Sequence, residues 1–311
     1  MKYLGISISG KEIDLGNPIF VKINQSIDAP ADDLYAVFCY RGIIEELKYI
    51  KVYLNDEVIF DGIMDEQILE ITKTGSFFKI YARSMAALLV DNEALPQTSI
   101  DTSLEIIFNR HARPYGFKGF IGQNKKFLSK FIVYKGMSEW EVLEGFCKTF
   151  LNTKPRVTCD GTINAGNYIK GKEINLSNYS DGIRYTNLSK NIKRYNRISE
   201  IFIKYNKDSS YSIKVSDKDI IDKDVKRKRY IDTTNYILDS KEYARELIDN
   251  ANKKSSEIVA TCIGSVGAEV GTTVTINDIS FGKMKDLFIS KVKYIMDSNG
   301  ERTELTMYKG V

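Results

Sequence analysis

The order of apolar and polar positions divides the chain into strand-like ends around a mixed centre. Phe20-Val21-Lys22-Ile23-Asn24 alternates as a half-buried strand does, and Leu34–Tyr40 is a short apolar run after Pro30 and two aspartates. Tyr49–Leu54 and Val58–Ile63 flank the polar break Asn55-Asp56-Glu57, which predicts a hairpin. Phe77–Ala82 closes this first set. Short strands separated by turn signals at this spacing predict a small antiparallel barrel or sandwich.

From Asp101 the period changes. Leu104, Ile107, Phe108 and His111 have the one-face spacing of a helix, which stops at Pro114-Tyr115-Gly116. A second helix is predicted from Ser138, with Glu141 three residues on as a capping box. Trp140, Leu143, Phe146, Cys147 and Phe150 would share its buried stripe. Arg156–Cys159 and Thr162–Asn164 read as strands around an Asp160-Gly161 turn. Strands return from about Asn191, beginning with Ile198–Tyr205 and the turn-like Asn206–Ser210. A helix over about 240–254 follows, with Asp239 or Ser240 as cap and Ala244, Leu247, Ile248 and Ala251 on one face. Glu257–Cys262, Thr272–Ile276, Leu287–Met296 and Glu304–Tyr308 complete the strands.

At 311 residues the chain suits two or three compact units. No run approaches the roughly 20 apolar residues that cross a bilayer, so no membrane insertion is expected. Met1–Gly5 leads into no signal-peptide core, which places synthesis in a cytoplasm. Four cysteines lie far apart with no Cys-x-x-Cys pair, a pattern of packed thiols rather than of disulfides or zinc. A net charge of +4 is too mild to imply nucleic acid by itself. The 19 Tyr and 15 Phe against one Trp lean toward β structure and assembly surfaces.

Candidate chemistry is sparse. The one histidine, His111, falls on the apolar face of a predicted helix, where a packed structural role is expected. A hydrolase with a Ser or Cys nucleophile normally needs a free histidine base, so that class is disfavoured. Zinc-ligand spacing, G-x-S-x-G, G-x-G-x-x-G and Walker loops are all missing. Glu45-Glu46 and Asp65-Glu66 are the obvious carboxylate pairs, but neighbours on a strand face opposite sides. Charged turns explain both pairs better. Asp14, Asp278 and the stretch Asp217–Asp224 lack the spacing of a calcium loop. The basic run Lys223-Asp224-Val225-Lys226-Arg227-Lys228-Arg229-Tyr230 would suit phosphate or an acidic partner. A Lys/Arg-rich strand edge that blocks edge-to-edge pairing is the reading preferred here, because no alternation of aromatics and basics accompanies it. No catalytic, metal or cofactor residues are expected.

The order of several segments resembles the baseplate hub family of contractile phage tails, the group of the phage Mu hub and late-control-D-like proteins. Val21–Asp28 with Leu34–Tyr40 looks like the family's opening strand pair, and Asn55–Gly62 like its hairpin. The sharpest segment is Tyr81-Ala82-Arg83-Ser84-Met85-Ala86-Ala87-Leu88-Leu89-Val90-Asp91-Asn92. It is similar to a strand exit in which an Arg-Ser/Thr pair precedes a small-apolar stretch and Leu-Val-Asp. Leu104–Ile107 through Tyr115-Gly116-Phe117 resembles the next helix. Gly136-Met137-Ser138-Glu139-Trp140-Glu141-Val142-Leu143 resembles a Gly-x-Ser-x-Trp-x-x-Leu helix start. Ala82 departs from the family, where Gly is common, and Gly171–Lys190 matches nothing in it.

The resemblance implies a β-rich α+β fold with two tube-like antiparallel β-barrel domains and an α+β middle region. These would span 1–95, 96–190 and 191–311, the last carrying the helix. It implies a homotrimeric ring between a tail tube protein and a central spike protein, among other baseplate proteins, in a virion or phage-tail-like particle. Arg83, Ser84, Leu88, Leu89, Val90, Asp91, Gly136, Ser138, Trp140 and Leu143 would be structural motif residues, nucleic acid would only pass through the channel, and no cofactor is implied. The alternatives are a tail-associated cell-wall hydrolase using carboxylates and a glycan- or receptor-binding tail module.

Overall fold

The computed structural model describes residues 1–40, 42, 44–166, 173–204, 210–232 and 240–309. Tyr205, the predicted turn at Asn206–Ser209 and the candidate cap Asp239 lie outside them. The chain forms two compact units, each discontinuous in sequence. The first comprises Met1–Gly171, Cys262–Gly271 and Ser290–Leu305; the second comprises Lys172–Thr261, Thr272–Ile289 and Thr306–Val311. Pairing is mostly antiparallel and the chain is β-rich.

The first unit opens with seven strands: β1 (Lys2–Ser7), β2 (Glu12–Asp14), β3 (Pro18–Ser26), β4 (Asp33–Cys39), β5 (Leu47–Leu54), β6 (Glu57–Thr72) and β7 (Gly75–Ser84). Their order in the sheet is β3-β4-β7-β6-β5-β1-β2, antiparallel throughout. The β5–β6 turn places Asn55 and Asp56 at φ 49° and 67°, a geometry whose twist suits a tight hairpin and which Asn and Asp tolerate. Alternate residues enter the core: Leu34, Ala36 and Phe38 from β4, Ile50 and Val52 from β5, Phe78 and Ile80 from β7. Each large side chain so buried stabilises the fold by about 1.5–3 kcal/mol. Gly62 allows β6 to approach β7 closely, since a Cβ there would collide with the Arg83 carbonyl and the Phe60 ring.

A second core lies under the helices α1 (Ala87–Asp91), α2 (Leu104–His111) and α3 (Glu139–Phe146). They alternate with β8 (Gln97–Thr102), β9 (Gly119–Ile121), β10 (Phe127–Val133), β11 (Arg156–Val157) and β12 (Thr162–Asn164). β8 and β10 form a two-stranded ribbon, while β12 joins β9 in parallel and β11 in antiparallel fashion. The predicted capping box at Ser138 is present, and Ser103, not among the predicted caps, caps α2. Ser103 Oγ accepts from Ile106 N, and Ser138 and Glu141 exchange both bonds of a capping box. Beyond Phe146 the helix widens into a single π turn, Cys147–Leu151. Phe150 on that turn packs 4.9 Å from Phe127 and 5.2 Å from Phe146, ring centre to ring centre.

The second unit contains β13 (Ile174–Ser177), β14 (Tyr185–Ile192), β15 (Glu200–Lys204), β16 (Ile213–Ser216), α4 (Lys218–Ile221), β17 (Lys228–Asp232), α5 (Ser240–Lys254), β18 (Ser256–Ile263) as far as Thr261, and β19 (Thr273–Asp278). β15 is central in a three-stranded sheet, antiparallel to β16 and parallel to β17. One face of that sheet carries Ile201, Ile203 and Val215, covered by Ala244 and Ile248 of α5. The last strands are β20 (Gly282–Asp297) and β21 (Gly300–Lys309). Within the second unit β20 pairs with β19, and β19 with β13; within the first, Lys291–Met296 of β20 pair with β3.

Candidate functional site

The residues of the two motif segments, some 50 positions apart in sequence, lie side by side. Ala94 N donates to Met137 O at 2.8 Å, Glu139 N to Asn92 O at 2.9 Å, and Gly136 N to Glu93 Oε1 at 3.0 Å. Gly136 has φ 87°, a left-handed turn that lets α3 start against the end of α1. Ser138 caps α3, and Trp140 and Leu143 enter the core beneath it, where Leu89 is fully buried and Val90 packs at the margin. Leu88 is half-buried and its carbonyl accepts from Asn92 Nδ2 at 2.7 Å.

Arg83, at the end of β7, forks onto two carboxylates. Its Nε and Nη2 donate to Asp65 on β6 at 2.5 and 3.0 Å, and its Nη1 and Nη2 to Asp91 at the end of α1 at 3.1 and 2.6 Å. These bonds hold the guanidinium firmly charged and keep the Asp91 carboxyl below its usual range. The clamp thereby fixes the exit of the sheet to the first helix. Ser84 beside it accepts from Asp32 N at 3.0 Å and donates its own N–H to Asp32 O at 2.8 Å. The Asp32 carboxyl is pushed up to about 6 by burial, which outweighs the Arg156 guanidinium 3.5 Å away.

His111 is buried, as its helical position predicts, but it is not isolated among apolar groups. Its Nδ1 lies 2.5 Å from Glu139 Oε2, and Tyr115 Oη donates to Glu139 Oε1 at 3.0 Å. Glu139 stands at the first position of α3, so the sequence marks it only as a favourable charge at a helix start. The group ties α2 to α3, with His111 and Glu139 buried and Tyr115 half-buried at its edge.

The remaining candidates are dispersed. Asp65 serves Arg83 while Glu66 faces solvent, and Glu45 accepts from Ser9 at 2.8 Å on the surface. Burial raises the thiols of Cys147, Cys159 and Cys262 to about 12, 11 and 11, so they stay protonated. Among the described residues no three His, Cys, Asp or Glu side chains gather as a metal site would require. A cavity of about 110 Å3 between Met1, Ile23, Cys159 and Tyr294 has room for a few waters. Ligand pockets run to roughly 300–1,000 Å3.

Only the end of the basic run is a strand edge: Lys228–Tyr230 open β17, which flanks β15 at the margin of its sheet, while Lys223–Arg227 form the turn and loop before it. Arg194 and Arg227 cross-link its approach, donating to Lys223 O and Arg194 O at 2.9 Å each. Yet aromatics do accompany it, contrary to the linear pattern. Phe202 stacks on Tyr230 at 5.4 Å, Lys214 and Lys228 sit over the Phe202 ring, and Lys204 sits over Tyr211. Three strands and a neighbouring segment supply these residues, so no single run displays them. Glu200 pairs with both Lys214 and Lys228, which neutralises much of the face.

No family model and no curated protein matches the chain. Solved structures share its fold along nearly its whole length. A tail protein from Neisseria meningitidis MC58 is 17% identical, with 99% of this chain and 97% of that one aligned at a TM-score of 0.80. The prophage MuSo2 43 kDa tail protein from Shewanella oneidensis is 16% identical over 99% and 98%, at 0.81. The c3393 protein of E. coli, described as a type VI secretion component structurally similar to the T4 tail proteins gp27 and gp5, is 6% identical over 95% and 74%, at 0.58.

Proposed function

We propose that the chain is a structural, non-enzymatic baseplate hub subunit of a contractile tail or phage-tail-like particle. Three copies form a ring that joins the tail tube to the central spike. The observation that carries this reading is the end-to-end likeness of its fold to phage tail proteins at TM-scores of 0.80 and 0.81. The E. coli type VI secretion component of the same fold extends it to contractile injection machinery. In each subunit two strand-rich portions act as tube-like barrels, so that three chains present a pseudo-sixfold collar to the tube. The Arg83 clamp and the α1–α3 junction keep one such portion rigidly attached to its helices. The partners are then further copies of the chain, the tube protein, the spike protein and other baseplate proteins. DNA meets the ring only by passing through its channel.

The test is the mass of the purified protein by light scattering after size exclusion, alone and with its tube and spike neighbours, followed by negative-stain imaging. A trimer or a ring with a central channel is expected. A chain that remains monomeric and binds neither neighbour overturns the reading.

A further inference from the structure

Charge is sharply segregated within the first unit. Residues 54–72 contain Asp56, Glu57, Asp61, Asp65, Glu66 and Glu70 with no Lys or Arg among them. Residues 110–135 contain seven Lys and Arg, counting Arg110 and Lys135, and no Asp or Glu. The ion pairs found among the described residues join neither segment to the other: Asp61, Asp65 and Glu70 pair with Lys51, Arg83 and Lys79, and Lys126 with Asp101.

Both segments also expose apolar side chains on strand edges. β6 pairs with β5 only as far as Ile63, and Gln67 Oε1 caps Leu47 N at the start of β5. From Ile68 to Thr72 the strand is paired with β7 alone among the described residues. That stretch exposes Ile68, Leu69 and Ile71, the last at 80%. The β8–β10 ribbon exposes Ile100 and Leu128 at 72% and 76%, beside Lys126 and Lys130. An apolar edge without cover templates pairing with another chain, and natural proteins leave one where a partner covers it.

We infer that the acidic end of β6 docks on the basic β8–β10 ribbon of a second copy of this chain. Ile68, flanked on the same strand face by Glu66 and Glu70, meets Ile100 and Leu128, while the two glutamates face Lys126 and Lys130. The two surfaces are different patches of one unit, so the contact is head-to-tail and closes into a ring when the rotation permits. Opposite charge sets orientation and partner choice, and the apolar side chains supply the burial. This inference rests on the ring reading above and names the surfaces that build it.

The test reverses and restores the charges in the full chain, reading mass by light scattering in whichever state the wild type assembles. Glu66→Lys with Glu70→Lys is expected to reduce the mass threefold, to a monomer. Lys126→Glu with Lys130→Glu is expected to do the same, and all four substitutions in one chain restore the trimer. Ile68→Asp, at an exposed position between the two glutamates, is a second route to the monomer, and thermal melting confirms that each variant folds. A wild-type trimer that survives every variant overturns this interface and leaves the ring standing. A wild type that is monomeric alone and with its neighbours overturns both.

Discussion

Glu139 Oε2 lies 2.5 Å from His111 Nδ1, and both side chains are buried. Because Tyr115 Oη donates to the other Glu139 oxygen, one carboxylate fastens α3 to the end of α2 and the turn that follows it. Glu139→Ala takes the acceptor from a buried imidazole and a half-buried phenol, and is expected to cost about 1–3 kcal/mol. Glu139→Gln, which keeps an acceptor and a donor, is expected to cost less than half as much. Urea midpoints of the two variants check the difference.

Arg83→Lys tests whether the fork, rather than the charge, holds the strand exit. A lysine keeps the positive charge but cannot bridge Asp65 and Asp91 through two pairs of bonds. It is expected to recover little of the loss seen in Arg83→Met, which should be about 1–3 kcal/mol for partly exposed charge-assisted bonds. The two denaturation midpoints should fall close together, and below that of the wild type.

Asp32 sets a pH dependence of definite sign. Its folded-state value is raised from 3.8 to about 6, so between those limits the native state binds more protons than the unfolded chain. Stability from this group therefore falls as pH rises from about 4 to 6 and is level above, a decline of about 3 kcal/mol at most. Asp32→Asn is expected to flatten that slope in urea titrations at pH 4, 5, 6 and 7. An unchanged slope would assign it to other groups.

Phe146 is fully buried at the end of α3 and contacts the rings of Phe127, Phe131 and Phe150. Phe146→Ala is expected to cost about 3–5 kcal/mol. Trp140, the one tryptophan, is buried in the same core and reports its unfolding by fluorescence. Its emission should shift to the red at lower urea in the variant.

Thiol labelling gives a further check. Cys39 is exposed, whereas Cys147 and Cys262 are buried and Cys159 is partly so, with all three raised by burial. An aromatic disulfide reagent is expected to react rapidly with one thiol per native chain and with four after denaturation. Fast labelling of more than one would contradict the packing around the other three.

What the sequence determined by itself was local. Period-two alternation marked β3, short apolar and aromatic runs marked β4, β5 and β7, the polar break at Asn55-Asp56 marked the first hairpin, and Ser138 with Glu141 marked the start of α3, because each signal lies within a few adjacent residues. The long extension of β6 to Thr72 escaped notice because its outer half buries little and so has no clean alternation. β13 and β14 escaped as well. β14 is mostly exposed, and a polar strand is recognised only by the backbone bonds of its neighbours. β13 is only four residues long, too short for a periodic signal although Leu176 and Ser177 are buried. Only the tertiary structure joined Arg83 to Asp65 and Asp91, Glu139 to His111 and Tyr115, and Phe202 to Tyr230. Those contacts depend on which strands lie side by side, and that order is fixed by the cooperative burial of several cores rather than by any one segment.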